Sequence, residues 1–222
     1  NDFKFSYGIE AYVHPSIAQW KQEHSKHKED AKLAKQVDDD VGLVVENESE
    51  TKKGIKSTLN RRSHLVLVAQ NQTGLNNLFK LVSDSYRGDN FYRFPRMDYE
   101  MLKKHNEGII ASSACLGGVL SNDYWDNVDK GEKAVYAAME KTVGSMMDIF
   151  GDRFYGELQW ANYKEQHIVN QYIINLSKQF GFKLISTCDA HFPSPDMWKD
   201  REIYKMLGWV GKGGNDIKID AL

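Results

Sequence analysis

Two polar residues two positions apart, Asp189 and His191, close the stretch KLISTCDAH near the end of the chain. The run reads as a short buried strand. Extended side chains alternate faces, so both residues point the same way if extension persists to His191. A carboxylate beside an imidazole at a strand's carboxyl end suits a metal or an acid/base pair. As turn residues with satisfied hydrogen bonds, the same two would do no chemistry. Three more residues of ligand type stand in or beside strand-like runs. Glu10 interrupts FSYGIEAYV, where Tyr7, Ile9, Ala11 and Val13 alternate with Ser6, Gly8, Glu10 and Tyr12. It is either an outward-facing polar position or an inward-facing ligand. His64 opens the buried run HLVLVAQ, and Cys115 follows GIIASSA as either a small core residue or a thiol ligand. His24 and His27 lie one helical turn apart, with no carboxylate or cysteine organised around them, and read as exposed.

The elements that must position these residues follow from periodicity. Thr73 is expected to cap an amphipathic helix over Gly74 to Tyr86, with Leu75, Leu78, Phe79 and Val82 on one face. Asn127 to Phe150 predicts a second helix stopped by Gly151. Tyr163 to Phe180 predicts a third, with Ile168, Tyr172, Leu176 and Phe180 on one side and Gly181 as its stop. FYGELQ is a strand in which Glu157 and Gln159 share a face, and Glu157 reads as salt-bridged or as a support to a metal site. A last helix spans about 196–207. The order is strand, excursion, then strand–helix repeated four times, which argues for parallel strands with crossover helices. Functional groups in such α/β folds gather at the strands' carboxyl ends. Cys115, Asp189 and His191 fall there by counting; Glu10 and His64 do not.

The bulk numbers set the bounds. The 222 residues suffice for one sizeable domain, and 41% hydrophobic with 12% aromatic content indicates a globular chain. A formal net charge of −2 excludes a globally basic nucleic-acid coat. Two cysteines, Cys115 and Cys188, are too few for a disulfide framework and favour a reducing, cytoplasmic setting. No apolar run approaches membrane-spanning length. The chain opens without Met, directly in strand-like sequence, and is expected to extend upstream in nature. Residues 14–63 are mixed in charge with little to bury and read as a surface excursion. Within it Lys52, Lys53, Lys56, Arg61 and Arg62 form a basic cluster, a solvated face or a phosphate contact. FYRFPRMD interleaves Arg93 and Arg96 with aromatics, as a packed loop or a surface for single-stranded nucleic acid. The glycine-rich tail 208–222 reads as a linker.

HLVLVAQNQTGLNNLFKLVS, FYRFPRMDYEMLKKHNEGIIASSACLGG, IFGDRFYGELQ and LISTCDAHF, in this order, resemble the polymerase-and-histidinol-phosphatase (PHP) domain. The likeness is greatest to the version at the amino terminus of bacterial replicative DNA polymerase III α subunits, and it runs from Gly8 to about Leu207. It implies a distorted seven-stranded β/α barrel around a multi-metal centre. By that likeness Glu10 matches the family's Glu, in a Gly-x-Glu-x-Tyr-Val context. His64 matches the His opening its strand, Cys115 the Cys of Ser-x-Cys-Leu, and Asp189 with His191 the closing pair. Carboxylate, imidazole and thiolate suit zinc, and the first two also suit manganese or iron. Members with full ligand sets resemble 3′–5′ exonucleases; members with degraded sets serve as docking platforms. The chain starts just before the Glu motif, so the amino-terminal His-x-His and the next two ligand segments are not within it. The expected barrel is therefore incomplete, lacking its first two strands. A homodimer could cover the resulting edge. The implied parent function is DNA synthesis beside other replisome subunits. The rivals are a free-standing phosphatase of histidinol-phosphate type and a catalytically silent scaffold.

Overall fold

The structure, a computed structural model, describes residues 5–26, 29 and 62–210. It divides into two compact units, Asn1–Thr187 and Cys188–Leu222. In the first, β1 (Gly8–His14) is followed by α1 (17–26), β2 (Ser63–Ala69) and α2 (Gln72–Ser85). Three two-residue strands come next, β3 (Phe91–Tyr92), β4 (Phe94–Pro95) and β5 (Met97–Asp98), then α3 (Tyr99–Lys104), β6 (Ile109–Ser112) and α4 (Val119–Asn127). The unit closes with α5 (Glu132–Phe150), β7 (Phe154–Gln159), α6 (Lys164–Phe180) and β8 (Lys183–Thr187). The second unit contributes α7 (Trp198–Val210). Among the described residues no helix is long and apolar enough to cross a membrane.

Six strands form one sheet in the order β5-β1-β2-β6-β7-β8. The expectation of uniformly parallel strands needs correction, because β2 pairs antiparallel with both β1 and β6. The pairs β1–β5, β6–β7 and β7–β8 are parallel. After α2 the chain does not return beside β2. It travels to the far edge as β5 and only then, through α3, re-enters as β6. β2 thus runs against the other five strands of the sheet, two of which are its partners. In consequence the amino end of β2 lies with the carboxyl ends of the others, and His64 joins the functional end of the sheet. A closed seven-stranded barrel is not formed by the described residues, which make a six-stranded mixed sheet.

One face of the sheet carries Ala11, Val13, Leu65, Leu67, Ile109, Ala111 and Phe154, all buried. The helices cover that face with residues at helical spacing, Val135, Met139, Val143, Met146 and Phe150 from α5 and Val169, Ile173 and Leu176 from α6. Gly181 ends α6 with φ 79 and Gly151 ends α5 with φ 58, the left-handed stops that the sequence predicts. The helix faces differ in detail. Phe79 is exposed on α2, where Leu78 and Leu81 are buried instead, and the α2 cap is Asn71, whose Oδ1 accepts from the Gly74 N–H at 2.9 Å. On α6 the buried line runs one residue later than Ile168 and Tyr172. Residues 119–127 form α4, and the helix expected from Asn127 begins at Glu132.

The strand β8 is not buried as its apolar sequence suggested. It is bonded to β7 on one side only among the described residues, and Leu184 and Ile185 remain 39% and 44% exposed. An edge strand has one neighbour to cover it where an inner strand has two.

Candidate metal centre

Register brings the first two ligand types together. Tyr12 lies opposite His64 and Glu10 opposite Val66, so Glu10 is the diagonal neighbour of His64 on the same face. The Glu10 carboxylate meets His64 Nδ1 at 2.5 Å. This answers the question over Glu10: it faces neither the core nor empty solvent but its neighbour's imidazole.

Cys115 arrives from the loop after β6. Ser113 is held to β7 twice, donating its N–H to the Tyr155 carbonyl at 3.1 Å and accepting the Glu157 N–H on its hydroxyl at 2.8 Å. Ala114 then turns the chain with φ 60, a left-handed conformation that side-chain-bearing residues seldom adopt. The turn sets the Cys115 sulfur 3.5 Å from His64 Nδ1. The Gly117 N–H donates to that sulfur at 3.4 Å. His64 N–H in turn donates to the Gly117 carbonyl at 2.9 Å, and Asn122 Nδ2 donates both to that carbonyl and to Ser63 Oγ, each at 3.0 Å. The thiol loop and the imidazole strand are thereby laced together at backbone level.

Ligand atoms of Glu10, His64 and Cys115 all lie within 4.8 Å of one another, and this is the one such group among the described residues. The donor set fits a divalent cation: a hard carboxylate, a borderline imidazole and a soft thiolate match zinc, and the first two also match manganese or iron. The Glu10 side chain is 49% exposed and that of His64 27%, so solvent and substrate can reach the trio.

The remaining expected ligands belong to the second unit. β8 ends at Thr187, and Asp189 takes φ 48, so the strand does not extend to His191 as expected. Asp and Asn are among the few residue types that tolerate this conformation. The chain curls instead, and His191 Nδ1 lies 2.6 Å from the Asp189 carbonyl and 3.9 Å from its Oδ1.

Among the described residues Glu157 has no salt bridge. It is buried, and its carboxylate accepts from the Ser112 hydroxyl, from Thr187 Oγ1 at 2.5 Å and from Gln159 Nε2 at 3.0 Å. Neutral donors from β6, β7 and β8 satisfy it without a cation. Of the expected nucleic-acid contacts, Lys52, Lys53 and Arg61 lie outside the described residues. Arg62 sits over the Phe94 ring at 4.0 Å, and Arg93, at the tip between β3 and β4, has φ 61. Arg96 is only 3% exposed and packs its guanidinium 3.8 Å from the Trp20 ring centroid, so it belongs to the interior, not to a contact surface.

One feature had no signal in the sequence. A cavity of about 190 Å³ behind the thiol loop is lined by His14, Ser63, Tyr99, Asn122, Asp123 and Thr142, among others. Burial pushes the Asp123 carboxyl up to about 7, against an opposing hydrogen bond from Thr142. Burial, then the Arg96 guanidinium, push His14 down to about 4, against Asp98. Among the described residues neither Asp123 Oδ2 nor His14 Nε2 has a hydrogen-bond partner.

Known proteins place this arrangement. The PHP domain family matches residues 1–161. The chain is 43% identical over 144 residues to the DNA polymerase III subunit alpha of Aquifex aeolicus, covering 65% of this chain and 12% of that protein. It is 36% identical over 159 residues to the protein of that name from Helicobacter pylori, covering 70% of this chain and 13% of the relative. The Borreliella burgdorferi protein of the same name is 33% identical over 156 residues, again covering 70% and 13%. The chain thus spans about an eighth of the length of these relatives. With most of its length matched and a carboxylate, an imidazole and a thiol converging at one end of its sheet, the chain belongs to the PHP domain family.

Proposed function

We propose that this chain is the PHP segment of a replicative DNA polymerase III α subunit, and that its own chemistry is metal-dependent 3′–5′ hydrolysis of phosphodiesters. The observation that carries the reading is the convergence of Glu10, His64 and Cys115 in a chain whose relatives bear that subunit's name. By the family's closing motif, Asp189 and His191 are further metal-ligand candidates. A divalent cation bound there would polarise a phosphoryl oxygen and acidify a water towards neutrality. The protein's part is to hold the donors. Glu10 supplies negative charge at the open side, the backbone of His64 is fixed by the Gly117 carbonyl, and the Gly117 N–H holds the Cys115 sulfur in place. DNA and other replisome subunits are the partners of the parent, in the cytoplasm.

Cobalt titration tests the centre, because a cobalt–thiolate bond gives a near-ultraviolet charge-transfer band. The band is expected in the parent chain and in Cys188→Ser, and is expected to vanish in Cys115→Ser and His64→Ala. No band in the parent, or a band that survives Cys115→Ser, would sink the assignment.

The exposed edge of β8 supports pairing with a second copy through Leu184 and Ile185. A dimeric mass in solution is the expected outcome, and a monomeric mass at high concentration would count against it.

A further inference from the structure

A line of rings leads away from the candidate metal centre. The Tyr12 ring lies 5.3 Å from the His64 ring, and Phe94 stands edge-on to Tyr12 with centroids 5.9 Å apart. The Arg62 guanidinium caps both, at 4.0 Å from the Phe94 centroid and 5.0 Å from that of Tyr12. Three facts set this group apart from ordinary core packing. Phe94, in the two-residue strand β4, keeps 40% of its surface exposed. Arg62 pairs with no carboxylate among the described residues. And the line begins at His64, one of the three converging donors, because register sets Tyr12 directly opposite it.

We propose that Tyr12, Phe94 and Arg62 form a subsite for the end of a single-stranded oligonucleotide, adjoining Glu10, His64 and Cys115. The terminal base stacks on the exposed Phe94 ring, and Arg62 pairs with the phosphate that leads from that base towards the donors. Aromatic faces accept any base, and the guanidinium recognises phosphate by charge and paired N–H donors. The subsite would be tolerant of sequence and sensitive to salt. Its backbone support is local. The β3–β4 turn, tipped by Arg93, fixes Phe94, while Arg62 directly precedes β2. The inference deepens the phosphodiesterase reading and rests on it for the direction in which the strand lies.

The test is fluorescence anisotropy of a short 5′-labelled oligothymidylate with a free 3′ end, in EDTA so that no hydrolysis occurs. Phe94→Leu keeps apolar bulk and removes the ring, while Phe94→Tyr keeps the ring. Base–aromatic stacking predicts roughly 5- to 100-fold weaker binding for Phe94→Leu and near-parent binding for Phe94→Tyr. Arg62→Ala is expected to lower the salt slope of log K by about 0.7, as for one lost phosphate contact on a single strand. Absence of binding by the parent at low salt, or parent-like binding and slope in both Phe94→Leu and Arg62→Ala, would overturn the proposal. The cobalt–thiolate band is measured on the same variants and is expected to be unchanged. A missing band with the oligonucleotide results intact would remove the metal reading and leave the subsite standing. The band present with no ring or charge dependence would do the reverse.

Discussion

Gly118→Ala is expected to abolish the cobalt–thiolate band and to cost about 3 kcal/mol or more in stability. A Cβ on Gly118 would stand 2.0 Å from the Ser113 carbonyl oxygen and 2.8 Å from that of Cys115. Both obstacles are backbone, so neither can swing aside as a side chain would. Ser113 is itself pinned to β7 by two hydrogen bonds, and Gly118 N–H donates to the Cys115 carbonyl at 2.8 Å. The turn between them must open, and the thiol moves with it. Gly131→Ala is the control. That position has φ 91 but open space around it, so its substitution carries only a conformational cost of about 1 kcal/mol and leaves the band alone. Urea melts and cobalt titration of both variants check the contrast. A Gly118→Ala chain with parent affinity for cobalt would mean that the loop is far softer than its hydrogen bonds imply.

Asp123→Asn is expected to stabilise the protein at alkaline pH and to give no such gain in acid. Burial raises the Asp123 carboxyl from 3.8 to about 7, so the folded chain holds its proton more tightly than the unfolded chain does. The stability Asp123 contributes is therefore complete below pH 4 and is lost as pH rises to 7, levelling off above. Three units correspond to about 4 kcal/mol as a ceiling, and about 2–4 kcal/mol is the expected gain of the asparagine variant at pH 8 relative to pH 4. His14 acts in the opposite sense. Its pKa is lowered from 6.5 to about 4, so its contribution is complete above 6.5 and is lost as pH falls towards 4. Between those limits the two oppose each other, and the parent's stability profile is flatter than either alone would make it. Denaturant melts of parent and Asp123→Asn at a series of pH values from 4 to 8 are the check. Parallel curves across that range would refute the assignment of the buried proton.

The ligand types were legible in the sequence because a charged or thiol side chain beside a strongly apolar run stands out. Glu10, His64 and Cys115 were named before their geometry was known. What spacing did not reveal was that β2 runs against its neighbours. That direction shows only in its pairings with β1 and β6, between residues forty or more positions apart, which leave no local periodicity. The same limit applies to the cavity. His14 and Asp123 each look unremarkable, and only the fold places both around one space. Asp189-x-His191 misled in a different way. Alternation holds only while the backbone is extended, and Asp189 at φ 48 breaks it. On β8 the apolar run was real but its burial was not, since hydrophobicity reports what a strand prefers and not how many neighbours it has. The tendency of helix faces to shift by one residue has the same origin, because 3.6-residue periodicity tolerates either of two adjacent stripes.

The reversed strand has one more consequence. Since β1 leaves the sheet at His14 and β2 enters it at Ser63, the segment joining them departs and returns beside the metal-ligand trio. Each end of that segment is fastened to the fold by a side chain. The Ile17 N–H donates to Asp98 Oδ2 on one side, and Asn122 holds Ser63 on the other. For an experimenter this is a graft point, where a fluorophore tag or a tethered oligonucleotide can be spliced at the rim of the centre without disturbing the ladder.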